Sequence, residues 1–257
     1  YSVVQIQSDE RGLIDPAKLE SMMDEDTAAI MLTNPNTLGM FETDIMKITE
    51  VVHNKGGLVY CDGANLNAVM GKTKMNAMGI DVLHFNLHKT FSTPHGGGGP
   101  GAGPVGVTDQ LEPYLPIPVI EHTDGKYILN SDRPDSVGKM KAFFGNFGIL
   151  VRAYTYIRSL GPDGVKLAAE MAVLNANYIK ASLQEQYHLP YKGPSLHEAV
   201  FNDKHQLKHK VSTMDIAKML IDYGFHPPTV YFPLIVKGAL MIEPTETESK
   251  ETIDGFI

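Results

Sequence analysis

One stretch, residues 81–107, narrows what this chain can be: DVLHFNLHKTFSTPHGGGGPGAGPVGV. Its apolar lead (Val82, Leu83, Phe85, Leu87) reads as a strand that delivers Lys89 into a turn, and seven glycines follow between Gly96 and Gly106. Glycine lets backbone come close to a bound group, yet each one costs about 0.5–1 kcal/mol against alanine inside an element. A run this dense points to a site rather than to filler. A lysine between His88 and Thr90, ahead of such a run, admits three readings: an amine that forms a Schiff base, a phosphate-binding lysine, or a solvated loop lysine. A GxxxxGK[ST] phosphate loop has its lysine after the glycines, at a helix start. Here the order is reversed.

The neighbouring sequence separates the readings further. After a strand-like opening over residues 1–6, Asp15 is an N-cap candidate and Pro16 stands at the first helical position, with Leu19, Met22 and Met23 at helical spacing. Residues 28–32 form an apolar strand that stops at the turn-rich 33–39. A helix is predicted over 44–55, with Ile45, Ile48, Val51 and Val52 on one face and Gly56-Gly57 closing it. A strand over 58–61 then runs into Asp62-Gly-Ala-Asn, and 79–81 lead into the Lys89 strand. Strands alternating with helices predict a mostly parallel α/β sheet, in which ligands sit beyond the carboxyl ends of strands. Asn34, Asp62 and Lys89 each follow a strand, so all three can converge on one crevice.

Farther on, 115–119 reads as an extended, proline-paced segment and 139–160 as a long apolar helix (Phe143, Phe144, Phe147, Leu150, Val151, Tyr154) ended by Gly161-Pro-Asp-Gly. A second helix is predicted over 165–187, a boundary at 189–194, and then a small α+β unit containing 197–201, a helix over 213–223 and 238–242. The expected division is 1–135 for a large domain, 136–190 for connecting helices and 191–257 for a small C-terminal domain.

Composition excludes some functions. A formal charge of −8 without clustered Lys and Arg argues against a nucleic-acid surface. The single cysteine, Cys61, excludes an internal disulfide and fits a reducing compartment, so a cytoplasmic location is expected. No run of about 18 apolar residues predicts a membrane span, and the start is not signal-like. The chain opens in a strand-like run without methionine and stops in a helix-like one, as a piece of a longer protein would. His84 and His88, or His205 and His209, have the i, i+4 spacing of zinc ligands on a helix. The first pair lies on a strand-like stretch and the second among lysines, so no metal is expected.

An amine must lose its proton before attacking a carbonyl, and burial or nearby positive charge promotes that loss. A Schiff base with pyridoxal phosphate also needs a carboxylate at the pyridine nitrogen. Asp62 is the candidate, and the small Ala64 would let a ring lie flat beside it. Each residue also has a plainer reading: Asp62 and Asn34 as turn residues, His88 as a hydrogen-bonded surface histidine.

Four segments, 31–42, 60–68, 86–101 and 133–148, resemble the glycine decarboxylase P-protein of the glycine cleavage system, and more narrowly subunit 2 of its two-subunit bacterial form. The likeness extends over nearly the whole chain. It implies a pyridoxal-phosphate fold type I, aspartate-aminotransferase-like large domain, incomplete at its N-terminus, plus a small C-terminal α+β domain. By position, Lys89 would form the Schiff base, Asp62 would partner the pyridine nitrogen, Asn86 and His88 would lie near the phosphate, and Asn34 would face the ring's phenolic oxygen. The implied activity is decarboxylation of glycine with transfer of the aminomethyl group to the lipoyl arm of H-protein, alongside P-protein subunit 1. Enzymes of this fold draw a phosphate loop and a ring-stacking side chain from sequence preceding the first strand seen here. The resemblance therefore implies that this stretch alone binds cofactor poorly. Another fold type I decarboxylase or aminotransferase would usually lack the Gly96–Gly103 run; an inert assembly fragment is the alternative from another class.

Overall fold

The computed structural model describes residues 1–95 and 101–257. Residues 1–8 enter no regular element, with Val3 and Val4 exposed and Ile6 alone packed on the core. The opening strand predicted for 1–6 is therefore not formed: a β-branched run becomes a strand only where a neighbour accepts its backbone hydrogen bonds. Helix α1 (Pro16–Met22) starts as expected, with Asp15 Oδ1 accepting the Ala17 N–H at 2.9 Å. It buries Leu19 and leaves Met22 out.

Strands β1 (Ala29–Thr33) and β2 (Leu58–Gly63) are joined through helix α2 (Ile45–Asn54) and lie parallel, with Leu32 opposite Cys61 and Thr33 opposite Asp62. Strand β3 (Val82–Phe85) continues the parallel set and β4 (Val105–Val107) closes it antiparallel. Side chains alternate across the sheet. Ile30, Leu32, Val59 and Cys61 therefore face α2, where Ile45, Ile48 and Val52 meet them. Ile48, Val52 and Val59 are fully buried, each worth about 1.5–3 kcal/mol of apolar transfer. The opposite face carries Met31, Thr33, Tyr60, Asp62 and His84 and is far less covered.

The strand before Lys89 ends earlier than predicted. Leu87 and Lys89 belong to a single helical turn, α3 (Leu87–Thr90), whose N-cap position is Asn86. Of the glycine run, Gly96–Gly99 and Pro100 lie outside the described residues. An antiparallel hairpin absent from the sequence reading, β5 (Val119–Thr123) and β6 (Lys126–Asn130), turns through Asp124 and Gly125, both at positive φ as a two-residue hairpin loop requires.

The long helix is also corrected. Residues 139–146 are irregular, with Gly138, Phe143 and Gly145 at positive φ, and regular helix begins only at Phe147. Helix α4 (Phe147–Leu183) is broken where the sequence indicated: Gly161 has φ 66° and ψ −179°. Its second half presents Ala168, Ala169, Ala172, Ala176 and Ile179 to the interior. There it meets an antiparallel sheet ordered β7–β9–β8, made of β7 (Ala199–Asn202), β8 (Thr229–Val230) and β9 (Ala239–Ile242). Helix α5 (Thr213–Asp222) precedes β8 and opens with a capping box between Ser212 and Asp215; α6 (Lys250–Phe256) packs its Ile253 on the same core. Among the described residues no helix is long and apolar enough to cross a membrane.

Candidate functional site

Three parallel strands end side by side, and the sequence-predicted site residues lie at or just beyond those ends. Asn34 follows β1 directly. It is 1% exposed, its Oδ1 accepts the Glu42 N–H at 3.1 Å, and its Nδ2 has no partner among the described residues. That bond folds the loop 34–42 back on itself, while the Asn65 amide clasps it from the β2 side through the Pro35 carbonyl at 2.9 Å. Glu42 is itself buried, which raises its pKa, and it accepts the Ile14 N–H at 3.0 Å.

Asp62 is the penultimate residue of β2. Its Oδ1 accepts the Ala64 N–H at 2.9 Å, the turn role that most Asp-Gly pairs play, and also lies 3.3 Å from His84 Nε2. Among the described residues both contacts fall on Oδ1. The His84 ring is fixed in turn by the Tyr60 hydroxyl, 2.7 Å from Nδ1.

Lys89 is exposed on α3, a turn held by the Asn86 carbonyl, which accepts the N–H groups of Lys89 and Thr90. Its charge nevertheless reaches His197, Glu198 and Glu243, residues from the far end of the chain. His88 packs its ring edge-on against His95 at a centroid distance of 4.0 Å. Burial, then the neighbouring charges of His95 and Lys89, hold its pKa below the ordinary histidine range. Among the described residues its Nδ1 is buried without a partner, as are the hydroxyls of Thr90 and Thr93. Buried polar atoms are nearly always satisfied, so a set of unsatisfied ones following β1 and β3 marks where a polar ligand fits.

A second group was missed by sequence reasoning. His197 and Glu198 are 1% and 2% exposed. His197 Nε2 stands 3.7 Å from Glu198 Oε2 and 3.8 Å from Glu243 Oε1, and the Asn67 amide donates to Glu243 at 3.4 Å. Burial drives His197 down to about 4, and Glu198 up to about 8 with the help of Glu243, while Lys89 pulls Glu198 back. At neutral pH both are uncharged. The signal available in the sequence was a His-Glu pair running straight into Ala-Val-Phe, charge placed where a strand enters the core.

Cys61, buried under α2, has its thiol pushed up to about 11 by desolvation and is chemically quiet. Among the described residues no three His, Cys, Asp or Glu side chains are placed to hold a metal ion.

Comparison with known proteins adds identity to this geometry. Residues 1–99 match the aminotransferase class-V family model, and residues 168–257 match that of the glycine dehydrogenase C-terminal domain. The chain is 59% identical over all 257 residues to a probable glycine dehydrogenase (decarboxylating) subunit 2 of Listeria monocytogenes and 58% identical to that of Bacillus licheniformis. It spans about half the length of these curated relatives, 53% of each. Among solved structures, a glycine decarboxylase (P-protein) of the glycine cleavage system in inhibitor-bound form superposes over 91% of this chain and 54% of its own, with a TM-score of 0.76 at 22% identity. The apo cysteine desulfurase of Thermococcus onnurineus matches at a TM-score of 0.73 and 18% identity, over 98% of this chain and 63% of its own. These superpositions identify the fold as that of the type I pyridoxal-phosphate enzymes. By sequence, the chain is similar throughout to the glycine dehydrogenase (decarboxylating) subunit 2 proteins, over the half of their length that these residues span.

Proposed function

We propose that these residues form part of a pyridoxal-phosphate-dependent glycine decarboxylase, acting in the cytoplasm on glycine together with a second P-protein subunit and a lipoylated H-protein that takes up the aminomethyl group. The observation that carries the reading is the set of groups at the sheet's carboxyl end: a lysine, a carboxylate and several buried polar groups without partners among the described residues. A pyridoxal phosphate asks for such a set. Its aldehyde calls for an amine, its ring nitrogen for a carboxylate, and its phenolate and phosphate oxygens for hydrogen-bond donors.

The residues present fit those demands. Lys89 would bind the cofactor covalently through Nζ. Asp62 would receive the ring nitrogen on Oδ2, beside the small Ala64. Asn34 Nδ2, buried and unpartnered, is oriented by its bond to Glu42 and suits the phenolic oxygen. Asn86, at the N-cap position of α3, and His88 would lie near the phosphate, with the Thr90 and Thr93 hydroxyls as further donors. Burial holds His88 below the ordinary histidine range, which favours a hydrogen bond to the phosphate over a charge. When bound, the pyridoxal ring supplies an electron sink for the pair released as the carboxylate leaves glycine.

The protein's own contribution is to orient these groups and govern their charge. Glu198 holds a proton at neutral pH and His197 stays neutral, so of the three buried groups that Lys89 reaches only Glu243 can supply a full negative charge.

Reduction by borohydride in the presence of pyridoxal phosphate tests the central assignment. The full-length subunit should gain one pyridoxyl mass on the peptide containing Lys89, and Lys89→Ala should abolish it. A label on another lysine would remove the Schiff-base role. Release of carbon dioxide from carboxyl-labelled glycine, stimulated by lipoylated but not by unlipoylated H-protein, would establish the partner.

A further inference from the structure

Two side chains beside Asp62 play no part in the reading above. Tyr60 and Asp62 alternate along β2 and share a face, and the β2–β3 register sets His84 directly opposite Asp62. The Tyr60 hydroxyl is hydrogen-bonded to His84 Nδ1 at 2.7 Å, and the opposite ring nitrogen, His84 Nε2, stands 3.3 Å from Asp62 Oδ1, a close charge-pair approach outside hydrogen-bond geometry. The rings of Tyr60 and His84 lie 5.7 Å apart, tilted by 41°, which holds the imidazole plane.

Chemistry fixes the protons in such an arrangement. An ionised carboxylate only accepts, so a neutral His84 that faces Asp62 with a donor carries its proton on Nε2. A neutral imidazole then has a bare Nδ1, and the Tyr60 O–H donates to it. Both ring nitrogens are used, and one tautomer is selected.

We propose that Tyr60 and His84 are positioning residues for Asp62: the tyrosine selects the Nε2–H tautomer of His84, whose donor faces Oδ1 beside the hydrogen-bonded Ala64 N–H, so that Oδ2 is presented to a protonated ring nitrogen. The inference rests on the reading of Asp62 as the ring-nitrogen partner. A carboxylate anchored on one oxygen cannot rotate away, and its remaining charge is directed at the ligand. The arrangement also accounts for a histidine and a tyrosine side by side on the thinly covered face of the sheet, which packing alone does not require.

The test is nitrogen NMR on the full-length protein loaded with cofactor labelled at the pyridine nitrogen and with labelled histidine. Intact protein should show His84 as one neutral tautomer with its proton on Nε2. Tyr60→Phe keeps the ring and removes only the hydroxyl. It should yield mixed tautomers or an imidazolium and lower the pyridine nitrogen's proton affinity roughly tenfold, about one pKa unit. His84→Leu should do at least as much. His84→Gln, whose amide can still donate to Oδ1, should restore most of the ring-nitrogen signal, a rescue that a purely space-filling role would not give.

A proton found on Nδ1 in the intact protein would overturn the proposal. So would Tyr60→Phe leaving the tautomer and the ring nitrogen both unchanged. Asp62→Asn separates this from the underlying reading. If it leaves the ring-nitrogen signal untouched while Lys89 still takes the pyridoxyl label, the role of Asp62 is wrong. If it shifts the signal and Tyr60→Phe does not, only the relay is wrong.

Discussion

Glu198 and His197 should govern how the protein's stability responds to pH. Glu198 has a folded-state pKa of about 8 against 4.5 for the free side chain, so between those values the folded protein holds a proton that the unfolded chain releases. Its contribution is fully present below pH 4.5 and is lost as the pH rises toward 8. His197 acts oppositely. With a folded pKa of about 4 against 6.5, it favours folding above pH 6.5 and loses that contribution as the pH falls toward 4. The two oppose each other from about 4.5 to 6.5, and above that window only the decline due to Glu198 remains. We expect the melting temperature to fall between pH 6.5 and 8, and Glu198→Gln, neutral at every pH, to flatten that decline. An undiminished slope in the variant would show that Glu198 ionises normally. This pair could not be picked out from the sequence, because its chemistry comes from burial against β7 and from the approach of Glu243 and Lys89. Lys89 and Asp62 were legible because a lysine before a glycine run and an Asp-Gly after a strand are local patterns. His84 was considered only as half of a metal pair, and its real partner is 22 residues away across a strand register.

Elements with a strong local pattern matched their predictions, and those that depend on a distant partner did not. Helix α2 was readable because its apolar residues recur at the helical period and a positive-φ glycine, Gly56, follows it. Residues 1–6 have the same β-prone composition as true strands, yet no ladder receives them. Residues 139–146 carry two adjacent phenylalanines, but Gly138 and Gly145 at positive φ interrupt the helix that their hydrophobicity suggested. The break at Gly161 was foreseen and is conformational in origin. Among the described residues nothing lies within 4 Å of where its Cβ would stand, but φ 66° with ψ −179° is a region essentially reserved for glycine. Gly161→Ala should therefore cost about 1–3 kcal/mol through backbone strain alone, read as a shift in the denaturant midpoint at unchanged slope. Phe201, fully buried between α4 and β9, should cost more: Phe201→Ala is expected to lose about 3–5 kcal/mol in the same measurement.

The first and last stretches of the chain meet in a shared core, and the candidate site straddles their contact. Leu13, Leu38 and Met40 pack with Val200, Val236 and Ala239, and the Leu196 N–H donates to the Gly39 carbonyl at 2.6 Å. Lys180 secures the intervening segment: desolvation lowers its pKa, and its ammonium donates to the Gly193 carbonyl and to Ser195 Oγ. The tightest point is Gly39. A Cβ there would come within 2.3 Å of the Glu198 carbonyl oxygen and 3.0 Å of its Cγ, and the backbone is already at φ 73°. No side chain can be accommodated without moving either the loop 34–42, which holds Asn34, or the strand entry that holds His197 and Glu198. Gly39→Ala should accordingly act on the site as well as on the fold. We expect amide hydrogen exchange to accelerate in 34–42 and 196–202 together, and pyridoxyl labelling of Lys89 to weaken in the full-length protein at temperatures well below its melting point. Faster exchange confined to one of the two segments would mean that they move independently. Labelling left intact while both segments open would separate the lysine from the C-terminal cluster, and Glu198 would then be a feature of stability rather than of the site.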